Sequence, residues 1–207
     1  MSPTSAPQPI IDYYFSVVSP WTYLGNGRFQ ELAQRVNAHV IYHPLSSPDL
    51  FPATGGQLLK DRAQHRKDYR LVELARWQKH LGIPLNLQPK HFPAPEAPAS
   101  KLILATQAAG QNAGPLLSSI LKAVWAEERD ISDVDTLIAL AGLCGLDVET
   151  LFREAQSPEL DAAFSTCTQM AIQRGVFGYP TYVYQGELFW GQDRLSFLET
   201  ALTSHGG

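Results

Sequence analysis

The chain has 207 residues, 44% of them hydrophobic and 17% charged, the balance of a globular protein whose core needs no disulfide or metal staple. Its 16 basic and 20 acidic residues leave a net charge of -4 with no dense Lys/Arg cluster, which excludes a polyanion-binding face and nucleic acid as a partner. No apolar run approaches the roughly 20 residues that span a bilayer. The opening MSPTSAPQP lacks the basic-then-apolar order of a secretory signal, so the expected setting is cytoplasmic with no membrane partner.

Residues 1–9, rich in Pro, Ser and Thr, carry no apolar pattern and are expected to form a disordered tail. The run IIDYYFSVV, starting at Ile10, is dense in β-branched and aromatic residues and predicts a strand buried on both faces. PWTYLGNGRFQELAQRV spaces Leu24, Phe29, Leu32 and Val36 as a helix does, and HVIYHPL supplies a second strand. Strand, helix, strand at these lengths is a βαβ unit, the opening of an α/β sheet.

From Gln57 to Arg174 the helical period dominates. DYRLVELARWQKHLGIP is a helix stopped by Gly82 and Pro84, and LQPKHFPAPEAPAS reads as an extended connection. KLILATQAAG, LLSSILKAVWAEERD, DVDTLIALAGLCG, DVETLFREAQ and ELDAAFSTCTQMAIQRG complete about six helices. YPTYVYQGELFWG then predicts two short strands joined at Gln185-Gly186, and DRLSFLETAL a closing amphipathic helix. Each β-containing end is too small to bury a core alone. One α/β domain over 10–56 and 175–207, βαβ then ββα, interrupted by an all-helical insertion at 57–174, is therefore expected.

Three junctions could line one cleft at the edge of this sheet, each with a plainer role beside the chemical one. Ser19 before Pro20 is a common N-cap with Pro at N1, and the same place offers a thiolate the positive end of the helix dipole and a hydroxyl donor. No acid or His follows at a local spacing and no G-x-S-x-G elbow surrounds it, which favours a donor over an attacker. Pro180 at a strand start is either an ordinary trans edge proline or a cis one, which would turn the Tyr179 backbone toward an extended peptide. Asp193, between Gln192 and Arg194, is a natural N-cap or an acid able to hold a zwitterionic amino carboxylate. Cys144 and Cys167 have neither metal-ligand nor redox-pair spacing, so they read as buried thiols and no metal site is expected.

The segments SPWTYLG, DYRLVELARWQKHLGIP with its DY and RW pairs, AVWAEERDISD and above all GVFGYPTYVYQGELFWGQDRL resemble the 2-hydroxychromene-2-carboxylate isomerases. These are relatives of the kappa-class glutathione transferases and of the DsbA group in the thioredoxin superfamily, and the resemblance runs from about Ile10 to Leu202. It implies a thioredoxin-like domain with a helical insertion and glutathione as cofactor. By the same resemblance, Ser19 faces the glutathione sulfur, Pro180 is the cis-proline, and Tyr179 pairs with the glutathione backbone. Asp193 and Arg194 stand near the γ-glutamyl end, with Gln192 beside them in the cofactor-binding set, while Asp68, Tyr69, Arg76 and Trp77 match recurring positions of the helical part. Two positions depart from the pattern: Ser16 where an Asp is frequent, and Gly56 where an Asn commonly contacts glutathione.

The implied activity is glutathione-dependent isomerisation of 2-hydroxychromene-2-carboxylate or a similar aromatic catabolite, in which transient thiolate addition permits ring opening and cis-trans rotation. The alternatives are a kappa-class-like transferase conjugating glutathione to electrophiles and a non-catalytic glutathione-binding protein of thioredoxin fold. Disulfide chemistry is disfavoured because Ser19 and Thr22 stand where a Cys-x-x-Cys pair would. The expected partner is a small aromatic carboxylate, for which Arg66 or Lys67 is a candidate cation, and relatives' common pairing as dimers allows a homodimer.

Overall fold

The computed structural model describes residues 8–204, so residues 1–7 of the expected tail lie outside the described residues. A four-stranded sheet has the order β2-β1-β3-β4, with β1 at Ile10–Phe15, β2 at His39–Pro44, β3 at Thr181–Tyr184 and β4 at Glu187–Trp190. β1 and β2 are parallel and joined by helix α1 (Pro20–Arg35), and β3 runs antiparallel to both β1 and β4. Gln185 and Gly186 both have positive φ, 50° and 85°, the backbone twist that lets a two-residue hairpin close between β3 and β4.

Between β2 and β3 lie α2 (Ser47–Ala53), α3 (Gln64–Leu81), α4 (Ala97–Ala108), α5 (Gly114–Trp125), α6 (Val134–Leu143), α7 (Val148–Ala155) and α8 (Pro158–Gln173), and α9 (Leu195–Ser204) closes the chain. Helices α3 to α8 are the six that the periodicity predicts. Helix α2 is additional, because SPDLFPA carries two prolines and too few apolar positions to display a helical period. Helix α4 starts within the stretch expected to be extended, with a proline in its first turn, where the missing N–H costs nothing.

β1 is buried on both faces as expected, with Tyr13, Tyr14 and Phe15 at 0% exposure. Alternation along the strand sends these side chains to different cores. Tyr13 and Phe15 join a large cluster with Leu102 and Ile103 of α4 and Leu116 and Ile120 of α5, so the helical block and the sheet share one apolar core. Tyr13 stacks on Tyr182 of β3 at 5.1 Å and meets Phe29 of α1 at 4.4 Å, which fixes α1 against the sheet. Tyr14 instead packs with Leu45, Leu50, Ala171, Val176 and Val183 on the opposite face. A polar clasp sits beside it: the Asp12 carboxylate meets His43 at 2.6 Å and Arg174 at 3.0 Å, and Arg174 also donates to the Tyr14 hydroxyl at 2.9 Å.

Candidate active site

Ser19 is the N-cap of α1, in extended conformation, with Pro20 in the first turn. Its Oγ accepts the Thr22 N–H at 3.2 Å, and no acceptor among the described residues takes its hydroxyl proton. Pro20 has no N–H, so Trp21 contributes the first amide of the helix. The end of α1 therefore presents a buried hydroxyl, 3% exposed, with a proton to donate at the positive pole of the helix dipole. Cap and donor are compatible roles, since the first uses a lone pair and the second the proton.

The Tyr179–Pro180 peptide bond is cis. The β3 ladder begins at Thr181, which pairs with Tyr14, so the Tyr179 backbone lies just outside the ladder beside the chain leaving β1. Gly191 closes the other flank by donating its N–H to the Pro180 carbonyl at 2.8 Å.

Glu96, at the N-terminal end of α4, is a candidate site residue that sequence reasoning missed. Its carboxylate accepts from Ser16 Oγ at 2.5 Å, from Ser47 Oγ at 2.6 Å and from the Ser47 N–H at 2.8 Å. The Ser47 hydroxyl is also 2.6 Å from the Tyr179 hydroxyl; with its proton on Glu96, it accepts from Tyr179. Burial pushes the Glu96 carboxyl above its ordinary range, and the serine hydrogen bonds partly offset this. Burial likewise pushes the Tyr179 phenol well up, so it stays a neutral donor. A lone acid inside the Pro-rich stretch FPAPEAPAS was the only local hint of Glu96.

The departures at positions 16 and 56 each have a physical counterpart. Ser16 is fully buried, and the acid it faces comes from Glu96. A Cβ on Gly56 would lie 2.6 Å from the Phe51 ring, so Phe51, whose ring packs at 5.3 Å from Tyr179, occupies the room a side chain at 56 would need.

The other sequence-derived candidates spread over a wider area. Gln192 is 3% exposed and its side-chain oxygen and carbonyl both accept from Arg28 of α1, so it clasps the last turn of the sheet domain to that helix. Helix α9 starts at Leu195, and the Asp193 carboxylate goes to Arg194 Nη1 at 2.8 Å, not to the helix end. Asp193 and Arg194 are exposed, and the Arg194 N–H donates to the carbonyl of Gly191, the residue bonded to Pro180. On α3, Asp68 accepts from Gln64, Arg76 pairs with Glu73 at the surface, Tyr69 is exposed and Trp77 packs against the core. Arg66 is exposed and the Lys67 ammonium donates to the Lys60 carbonyl at 2.8 Å.

The DSBA-like thioredoxin domain family matches residues 10–203. The chain is 31% identical over 194 residues to the 2-hydroxychromene-2-carboxylate isomerase of Sphingobium xenophagum, covering 93% of this chain and 97% of that protein. It is 32% identical over 196 residues to the enzyme of the same name from Pseudomonas putida, covering 93% and 94%. The chain belongs to the 2-hydroxychromene-2-carboxylate isomerase family of DSBA-like thioredoxin domains. A solved 2-hydroxychromene-2-carboxylate isomerase superposes with a TM-score of 0.78 at 29% identity, over 94% of this chain and 95% of that one. The cytosolic disulfide reductase DsbM of Pseudomonas aeruginosa, solved with GSH, shares the fold with a TM-score of 0.67 at 21% identity, over 94% and 99%. The family fold is thus the α/β thioredoxin-like arrangement with a helical block between β2 and β3.

Proposed function

We propose that the chain is a glutathione-dependent isomerase acting on 2-hydroxychromene-2-carboxylate or a similar aromatic carboxylate. The observation that carries this reading is the Ser19 hydroxyl, buried at the head of α1 with its proton unclaimed, at the C-terminal end of β1 where the Tyr179–Pro180 bond entering β3 is cis. These features fit a thiol tripeptide: an unclaimed donor and a helix N-terminus for a sulfur anion, and a backbone outside the ladder for an extended peptide. When bound, glutathione supplies a thiolate nucleophile that the chain itself lacks at this position. Ser19 and the α1 amides hold negative charge there and favour the anion near neutral pH. Tyr179 offers its backbone to the tripeptide, and its side chain is kept in place by Ser47 and Glu96. Asp193 and Arg194 form the polar rim on the side where the γ-glutamyl end would lie.

Absorbance of 2-hydroxychromene-2-carboxylate with catalytic glutathione tests the reading. Isomerisation without loss of free thiol is the expected result. Stoichiometric thiol consumption would make the protein a transferase, and no spectral change at millimolar glutathione would leave a binding protein. Raised thermal stability in glutathione, growing with its concentration, is the accompanying expectation.

A further inference from the structure

Arg70 of α3 lies against two aromatic rings, its guanidinium carbon 5.5 Å from the centroid of Phe92 and 5.9 Å from that of Trp125. The two rings are themselves 5.0 Å apart. Arg62 approaches from the other side, with its guanidinium 5.9 Å from Phe51, the ring that packs on Tyr179. Arg62 donates to the Gln57 carbonyl at 3.0 Å. Six other arginines of the chain have acid partners, whereas among the described residues neither Arg62 nor Arg70 has one.

Two partly buried guanidinium groups without an acid partner, each beside an aromatic ring, favour an anion close by. Burial, with the nearby Arg62 charge adding to it, lowers the Arg70 pKa to about 10. It remains a cation at neutral pH. The surroundings select the anion: the partly exposed rings of Phe92, backed by buried Trp125, and of Phe51 and Tyr179 suit a planar ring, and a guanidinium fork suits a carboxylate.

We infer that Arg70, assisted by Arg62, is the receptor for the carboxylate of a planar aromatic substrate lying against Phe92 and Phe51. The identity of the ligand rests on the isomerase reading, but its binding does not require turnover. This assignment replaces Arg66, which faces solvent, and Lys67, which is engaged by Lys60.

Calorimetric titration with chromone-2-carboxylate, with uncharged chromone and with glutathione separates the sources of a bound carboxylate. For Arg70→Gln the expected result is at least about tenfold weaker binding of chromone-2-carboxylate, the loss of one charge-assisted contact, with glutathione and chromone affinities changed less than about twofold. Arg70→Lys should recover part of the lost affinity, and Arg62→Gln, outside α3, should weaken the same ligand if Arg70→Gln fails to fold by circular dichroism. The proposal is overturned if wild-type protein does not bind chromone-2-carboxylate, if the variants bind it unchanged, or if glutathione affinity falls instead. Failure of the isomerase reading has a different signature, intact chromone-2-carboxylate binding without turnover.

Discussion

Ser16, the last residue before the Val17-Val18-Ser19 turn, donates its hydroxyl to the carboxylate of Glu96, 80 positions away in the chain. This bond ties the segment carrying Ser19 to the N-terminal end of α4, and through Ser47 it extends to Tyr179 beside the cis-proline. Two walls of the proposed cleft are thereby held by one acid.

Removing that acid should loosen both walls. Glu96→Ala leaves the Ser16 hydroxyl and the Ser47 amide without their acceptor and should cost about 1 to 3 kcal/mol, read by chemical denaturation, with a rise in KM for glutathione. Glu96→Gln keeps one acceptor oxygen and should cost less. Equal stability of wild type and Glu96→Ala would remove the network's structural importance.

The two half-buried acids should give opposite pH dependences. Glu96 has a raised folded pKa, mainly from burial, so its contribution is complete below the ordinary Glu value and is lost as pH rises through the folded one. Asp12 has a lowered folded pKa, mainly from the His43 hydrogen bond, so its contribution is present above the ordinary Asp value and is lost as pH falls through the folded one. Between pH 3 and 7, the stability lead of wild type over Glu96→Gln should shrink as pH rises, and its lead over Asp12→Asn should grow. Parallel slopes for the two variants would contradict this.

Ser19→Ala separates the cap from the donor. Loss of the cap should cost about 1 kcal/mol, lowering Tm by a few degrees. Loss of the donated proton should lower turnover about a hundredfold, far beyond what the stability change explains. An unchanged kcat would leave Ser19 a cap alone.

Gly25 of α1 is a close-approach position. A Cβ there would sit 2.8 Å from Gln192 Cβ and 3.3 Å from its Cα, so the helix backbone and the turn after β4 leave no room for a side chain at this point. Gly25→Ala should therefore destabilise by about 1 to 3 kcal/mol despite better helix propensity, because backbone has to move. A stabilised variant by thermal melting would contradict this contact.

Both cysteines are half-buried, not fully buried as the sequence reading expects, and Cys167 should be a poor redox group. Burial pushes the Cys167 thiol up to about 11, leaving almost no thiolate at neutral pH. An Ellman-type titration of native protein should leave Cys167 unmodified, with both thiols reacting after denaturation. The protein should not reduce insulin disulfides, since α1 begins with Ser19, not a cysteine.

Much of this was legible in the chain because its signals are local. The β-branched and aromatic density of IIDYYF, the Ser-Pro start of α1 and the Gln185-Gly186 turn each act within a few residues, and the structure has a strand, a capped helix and a hairpin at those places. The resemblance supplied the cis-proline, which composition alone left open. What only the tertiary structure decided is where side chains from distant segments meet: Glu96 against Ser16, Arg28 against Gln192, and Arg70 against Phe92 and Trp125. Helical period says that one face of α3 is apolar, but docking of α3 and α5 on the loop before α4 decides which arginine ends beside the rings. Such contacts are governed by packing across tens of residues, and no short window of sequence encodes them.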